Sequence, residues 1–386
     1  MIVSVVLQNK GAAHSQVPEQ RDMYESWVAF TVKDSSGKTL AQSGALQPDG
    51  ELDPQAHSFT NRLIDKNGLL NAKHEVWKSR VVAYNNTVQS GRSQLVRYRF
   101  TMPESGQVTV TATVRYRRFD QHFVDFGLDT KHFQQPIVDM ASQTRTLVVG
   151  ENPASKPDSA ENPEWMRWNN YGIALLDAQQ YQASVQAFTT VARLRPDYID
   201  AYTNIAIADI QWEKFDDARA MLTKALTIDS NDARALYYHA LVRRNDGALD
   251  DAISDLQKVV AAFPRSRDGH RELGFSYYQR HSYDMARKEY ETLQTIDPDD
   301  LAAHYILSIV YRRLGMLDRS KQESAAFADQ KDDPTASTVA LEFLRKHSEI
   351  AQESVPWHVH DLDRHGANTS PQTAPLQVVV PAQDLN

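Results

Sequence analysis

The chain has 386 residues, 41 % of them hydrophobic and 24 % charged, with a net charge of −8. That length sets an expectation of roughly two or three domains with ample buried core, and the acidic balance argues against nucleic-acid binding by charge. There is no cysteine, which excludes disulfides, thiolate metal sites, iron–sulfur clusters and haem attached through C-x-x-C-H. The opening run Met1–Leu7 is apolar. It is shorter than a secretory signal and lacks a basic leader and a small-residue cleavage site. No run approaches the ~20 apolar residues of a membrane-spanning helix.

Residues 1–150 read as β. Ile2–Leu7 is β-branched. Val28, Phe30 and Val32 alternate with Ala29 and Thr31, and Val96, Tyr98 and Phe100 with Arg97 and Arg99. Val108, Val110, Ala112, Val114 and Tyr116 alternate with threonines and Arg115. Period two with polar residues between predicts half-buried antiparallel strands. Turn chemistry separates them at Asp34–Gly37, Pro48–Gly50, Asp65–Gly68, Ser90-Gly91 and Pro103–Gly106. Short strands between such turns predict a two-sheet antiparallel sandwich, immunoglobulin-like in outline. Lys73–Trp77 and Phe119–Phe133 fit no strand and are expected as loop or short helix. Asp65-Lys-Asn67-Gly68 has part of a calcium loop's pattern. It lacks the third acidic ligand and the distant Glu, so a hairpin turn is the reading.

An ordered series of short motifs runs through this part. It begins with Asn9-Lys-Gly-Ala-Ala-His14, Arg21–Trp27, Ser43–Leu46 and Leu52–His57. Leu63-Ile-Asp65, Val96–Phe100 with Pro103, Tyr116–Phe119 and Pro136–Ala141 continue it. The series resembles the β-rich module that follows the haem-binding region of some bacterial multihaem c-type cytochromes, several of which continue into helical repeats. The family's Gly-His-x-Phe-Pro is replaced here by Ala13-His14-Ser-Gln-Val-Pro18, and the haem-binding cysteines are absent. The resemblance implies that the haem part lies outside this chain, encoded separately or upstream of Met1, where an export signal would also sit. It makes His14 the candidate haem or metal ligand. On the residues alone, His14 and His57 read as loop residues hydrogen-bonding backbone. His14, His57, His74 and His122 offer no i, i+4 pair, and no metal site is assigned. No nucleophile elbow, phosphate-binding glycine loop, His-Glu-x-x-His or paired-carboxylate arrangement is present.

Residues 151–163, with Pro153, Pro157 and Pro163, read as an extended linker. Such a linker predicts few contacts between the flanking domains and separate unfolding.

Residues 164–334 carry a 34-residue period. Trp168, Tyr202, Leu236, His270 and His304 fall in one column. Gly172, Ala206, Ala240, Gly274 and Ser308 fall in a second, and Ser184, Ala218, Ala252, Ala286 and Ser320 in a third. Phe188, Leu222, Leu256 and Tyr290 form a fourth that ends in Ser324, and Pro196, Pro264 and Pro298 close three units. Small residues at fixed places let paired helices approach, large ones fill the hollow beside them, and proline stops the second helix. The pattern resembles the tetratricopeptide repeat (TPR), in five copies. His270 and His304 occupy a packing column and are expected in the core. The TPR resemblance implies that positions 5, 9 and 12 of each unit line a binding groove. These are Asn169, Ile173 and Leu176, then Thr203, Ile207 and Ile210, then Tyr237, Leu241 and Arg244. Arg271, Phe275, Tyr278, Tyr305, Ile309 and Arg312 complete the set. Tyr and Arg together suit interface anchoring and carboxylate capture, so the last nine of these residues are the candidate groove for an extended segment carrying acidic and aromatic side chains. Asn169 stands where chaperone-tail binders need Lys, which argues against chaperone tails.

Residues 335–353, with Val339, Phe343, Leu344 and Ile350 at helical spacing, predict a helix capping the last repeat. Residues 354–386 read as a largely disordered tail. His358, His360 and His365 within it are compatible with transition-metal binding, although a solvated or docked tail is the plainer reading.

The sequence therefore predicts an antiparallel β-sandwich followed by an α-helical TPR solenoid, a binding module rather than an enzyme. The expected function is a protein-interaction scaffold accessory to a multihaem cytochrome in extracytoplasmic electron transfer. The alternative is the C-terminal part of a multihaem cytochrome. A hydrolase or lyase has no motif behind it. No cofactor is expected in this chain, haem belonging to a partner or a missing upstream domain. The expected partner is a protein, with neither nucleic acid nor a membrane span. Location is periplasmic or extracellular by resemblance, and cytoplasmic if Met1 is the true start.

Overall fold

The alternating strands assemble first. β2 (Glu25–Asp34) lies between β3 (Thr39–Ser43) and β7 (Gln107–Arg117), and β8 (Val138–Val148) completes an antiparallel sheet in the order β3-β2-β7-β8. The computed structural model describes residues 1–10, 12–17, 22–128, 133–151, 163–330 and 335–363. β1 (Ile2–Gln8) pairs antiparallel with β6 (Ser93–Arg99) to begin the second layer. The register sets Val28 opposite Val114 and Val32 opposite Val110, so one face of β2 and β7 points at β1 and β6. Val28, Phe30, Val32, Val96, Tyr98, Val108 and Val110 close this core, with Phe30 stacked on Tyr98 at 4.0 Å between ring centroids. β4 (Asn61–Asp65) and β5 (Ser79–Asn85) form a separate antiparallel pair, and the turn at Asp65–Gly68 folds Leu69–Asn71 back on β4 before the chain reaches β5. Asp65 accepts from the amides of Asn67 and Leu69 there, as a hairpin turn requires. The stretch that fitted no strand contains a short helix, α1 (Gln121–Gly127), capped by Asp120.

Five helix pairs follow. They are α2 (Glu164–Asp177) with α3 (Tyr181–Leu194), and α4 (Ile199–Gln211) with α5 (Phe215–Ile228). α6 (Ala233–Asn245) pairs with α7 (Leu249–Ala262), and α8 (Arg267–Gln279) with α9 (Tyr283–Ile296). α10 (Leu301–Arg313) and α11 (Leu317–Gln330) close the series. The small-residue column works by contact. A Cβ on Gly172 would stand 2.7 Å from the Phe188 ring, and one on Gly274 would stand 2.8 Å from the Tyr290 ring. Ala206 and Ala240 occupy the same column where the facing residues are Leu222 and Leu256. Ser184 and Ser320 donate to the carbonyls of Gly172 and Ser308, repeating one bond in the first and last units. The proline column also has a partner. The carbonyls of Pro196, Pro264 and Pro298 accept from the side chains of Tyr202, His270 and His304, at 3.0, 3.1 and 3.0 Å. His270 and His304 are buried, each with Nδ1 against a carboxylate, Glu289 and Glu323 respectively.

The expectation of few contacts between sandwich and repeat is corrected. Leu95, on the outer face of β6, packs against Ala174, Leu175 and Ala187 of the first helix pair. Arg97 on the same face donates to Gln180 at 2.7 Å, and Arg92 pairs with Asp177. The polar side of the β6 alternation faces the solenoid rather than water, so the strand is buried on both faces.

The chain then returns to the sandwich. The segment expected to cap the last repeat forms α12 (Ala336–Lys346), α13 (Ser348–Ala351) and a 3₁₀ turn. Its apolar stripe packs on the β4–β5 pair, with Phe343 and Ile350 against Ile64, Leu70 and Val81. The disordered tail expected from 354 is corrected for residues 354–363. β9 (His360–Asp361) adds to β6 in parallel, and Asp363 accepts from the Thr101 amide and hydroxyl. An open sheet edge with unpaired backbone groups takes the strand. His365, the remainder of the tail, Pro18 and most of the linker lie outside the described residues.

Candidate functional site: the groove of the helical repeat

The first helix of each pair touches the first helix of the next, α2 to α4 to α6 to α8 to α10. These helices therefore form one continuous layer, and the expected groove positions 5, 9 and 12 on them differ in burial. Asn169, Thr203 and Ile207 are buried, while Ile173, Leu176 and Ile210 are half-buried. In units three to five the surface opens. Tyr237, Leu241, Arg244, Arg271, Phe275, Tyr278 and Ile309 are half-buried, and Tyr305 and Arg312 are exposed. Phe275 stacks on Tyr278 with centroids 6.1 Å apart, and Tyr305 leans on Phe327 at 5.4 Å. Burial, with Glu272 and Asp268 nearby, pushes the Tyr237 phenol well above its ordinary value, so it stays a neutral hydrogen-bonding group.

The arginines do not stand free as a set. Arg244 pairs with Glu272 one unit along and lies over the Phe275 ring at 5.1 Å. Arg271 bridges Asp268 and Asp300, and Asp300 also caps α10 by accepting from Ala303. Burial would raise the Asp300 carboxyl, but Arg271 and the Ala303 amide hold it below its ordinary range. The expected capture of partner carboxylates by Arg244 and Arg271 is thus modified, because carboxylates of the solenoid itself occupy those guanidinium groups. Among the described residues Arg312 has no such partner.

Residues 175–242 match the tetratricopeptide repeat family model. The helical half is a TPR solenoid. Among solved structures the chain is similar to a crystal structure of MamA, at 20 % identity over 46 % of this chain and 96 % of that one, with a TM-score of 0.37. It is also similar to MamA 41-end from Desulfovibrio magneticus RS-1, at 19 % identity over 47 % and 96 %, with a TM-score of 0.38. YrrB, described as a TPR protein with an unusual peptide-binding site, aligns at 16 % identity over 46 % and 92 %, with a TM-score of 0.39. No curated protein matches the chain. A TPR solenoid is a scaffold for protein or peptide partners. Among the described residues no helix is long and apolar enough to cross a membrane.

The histidines separate by environment. His14 is exposed, with Nδ1 2.8 Å from the Ser15 carbonyl. His74 faces Asp22 at 2.7 Å, and exposed His122 faces Glu51 at 3.2 Å. His57, expected in a loop bonded to backbone, is buried with its Nδ1 3.1 Å from the Glu353 carboxylate rather than on a backbone group. The structure gathers it with Glu353, His358 and His360, a grouping the sequence reading did not make. Burial alone would raise the Glu353 carboxyl, but the surrounding imidazoles hold it well below the carboxylate range. Burial pushes His360 down to about 3, so that ring is neutral.

A second buried polar corner lies at the start of α1. Burial first, and then Glu25 and Glu51, raise the Asp120 carboxyl to about 7, against the Phe123 amide and Arg62, which lower it. A carboxyl raised in the folded state binds its proton more tightly there than when unfolded. Its contribution is therefore lost as pH rises from about 4 through about 7. Asp120→Asn keeps the oxygen that caps the helix and removes the titration. We expect the variant to be more stable than the parent at pH 8 by on the order of 1 kcal/mol, because water reaching the carboxyl reduces the full shift. Urea unfolding at pH 4 and pH 8 checks this. Parallel pH dependence in the two proteins would show that Asp120 does not titrate in that window.

Proposed function

We propose that the solenoid holds an extended protein segment along the face formed by α6, α8 and α10, with the sandwich as its platform. The observation carrying this reading is the run Tyr237, Phe275, Tyr278, Tyr305 and Ile309, half-buried to exposed in units three to five and ending at Arg312, which has no carboxylate partner among the described residues. Aromatic rings give large contact area at small entropic cost, and arginine gives one directional contact. With Arg244 and Arg271 engaged internally, the segment this surface suits is mainly aromatic or apolar, with a carboxylate near Arg312. The motif series between residues 9 and 141 adds a partner class. On that resemblance we assign the scaffold to a multihaem cytochrome in extracytoplasmic electron transfer, with haem carried by the partner.

The test separates groove from class. Tyr305→Ala with Arg312→Glu should reduce partner capture from native lysate at least about tenfold, a loss of roughly 1.4 kcal/mol, with an unchanged circular dichroism spectrum. Arg244→Ala should instead lower the stability of the repeat, since it leaves Glu272 half-buried without its cation. Undiminished capture by the folded double variant would place the partner elsewhere on the molecule. Gel filtration with a purified multihaem cytochrome addresses the class, and no co-elution with the parent protein would remove the cytochrome.

A further inference from the structure

We propose that His57, Glu353, His358 and His360 form a closed binding site for one divalent transition cation of the zinc class. The four residues meet where the returning C-terminal segment docks on the sandwich, and their ligand atoms all lie within 4.8 Å of one another. Glu353 Oε1 is 3.0 Å from His358 Nε2 and 3.3 Å from His360 Nε2. Glu353 Oε2 is 3.1 Å from His57 Nδ1, and the two Nε2 atoms of His358 and His360 are 3.0 Å apart. A tetrahedron with metal–ligand bonds of ~2.0 Å has edges of roughly 3.3 Å. The observed spacings already approach that figure.

The tautomers of two of the imidazoles follow from their second nitrogens. The His358 Nδ1 is 2.6 Å from the Val355 carbonyl and the His360 Nδ1 is 2.9 Å from the Gln55 carbonyl. A carbonyl only accepts, so both Nδ1 atoms carry the proton. In the neutral rings both Nε2 atoms then present lone pairs, and these lone pairs face each other. That is the arrangement of metal-bound histidines, whose second nitrogen donates to a carbonyl and fixes the tautomer. Without a cation, His57 Nδ1 could donate to Glu353 Oε2, and one added proton could join the His358 Nε2 either to Glu353 Oε1 or to the His360 Nε2. His57 Nδ1 lies against Glu353 Oε2, while its Nε2 and Glu353 Oε1 have no contact of good hydrogen-bond geometry. A single cation would take one nitrogen of His57, one Glu353 oxygen and the two facing Nε2 atoms together. Asn86 donates to Glu353 Oε2 at 3.0 Å and orients the carboxylate from outside. Three imidazoles and one carboxylate suit zinc and its neighbours rather than calcium or magnesium, which prefer oxygen. His57, Glu353 and His360 are each at most 3 % exposed, so the site is structural. It fastens the segment after α13 to the loop before β4.

The full-length protein, stripped with a chelator and desalted, is titrated with cobalt(II) and then with zinc(II). We expect one equivalent of cobalt to give the visible bands of tetrahedral coordination, and zinc to displace it. Zinc should raise the melting temperature by roughly 5 °C or more, as a ligand that binds only the folded state does. His57→Ala combined with His358→Ala should weaken cobalt binding at least about 100-fold, given that even outer-shell changes cost up to about that much. Glu353→Gln, which keeps volume and an acceptor, serves if the double variant does not fold. His122→Ala, at an exposed histidine, should change nothing. The proposal is overturned by a parent protein showing neither tetrahedral bands nor a melting shift, which would leave a proton-linked cluster. Binding that survives Glu353→Gln but is lost in His122→Ala would equally overturn it, as surface uptake.

Discussion

Phe343→Ala should cost about 3–5 kcal/mol, the usual range for emptying a buried aromatic site. Phe343 is 2 % exposed and fills the contact between α12 and the β4–β5 pair, beside Ile64, and its ring lies 4.3 Å from that of His347. The location of the damage is as informative as its size. Amides of β4 and β5 should lose hydrogen-exchange protection, while those of α4–α9 keep it. Loss of protection in α10 and α11 with the β4–β5 pair unaffected would mean that α12 serves the last repeat instead.

Gly274→Ala should destabilise the protein by about 2 kcal/mol, although alanine is the better helix former by about 1 kcal/mol. The added methyl would sit 2.8 Å from the ring of Tyr290, which is 1 % exposed and cannot swing aside. Overpacking of this kind costs about 1–3 kcal/mol, and here it outweighs the gain in propensity. Tyr290→Leu loses the aromatic ring but opens the pocket that Ala206 and Ala240 already use against leucine. The double variant should therefore be more stable than the sum of the two single changes predicts, by about 1–2 kcal/mol in a double-mutant cycle. Additive losses would mean that the glycine–aromatic and alanine–leucine pairings of the repeat are unrelated.

Those pairings explain why the helical half could be read so fully from its sequence. Each contact repeats every 34 residues, so a local rule appears several times in phase. β1, β2, β6 and β7 were legible for a related reason, since one face of each meets the same core and shows it by alternation. β8 was missed because nearly all its residues are exposed, leaving no apolar face to mark the period. The outward face of β6 was misread as solvated because its cover, Ala174 and Leu175, lies some eighty residues away. The groove residues were legible as positions, but not the ion pairs that hold two of the three arginines, since Glu272 and Asp300 come from neighbouring units. The histidine cluster was the least legible part. His358-Val-His360 showed two imidazoles at strand spacing, a signal that they share a face. Nothing local tied them to His57, about three hundred positions earlier in the chain.

The return of the chain to the sandwich turns the solenoid from a free coil into a strung bow. A repeat stack with loose ends can change pitch with little effort, since each unit leans only on its neighbours. Here the first helix pair is seated on β6, and the segment after the last helix pair is seated on β4 and β5 and on the edge of β6. If the proposed segment bends the groove on binding, it pulls on both moorings, and a segment that prefers another curvature is resisted by the sandwich itself. By reciprocity, whatever tightens the moorings also narrows the range of shapes the groove will accept.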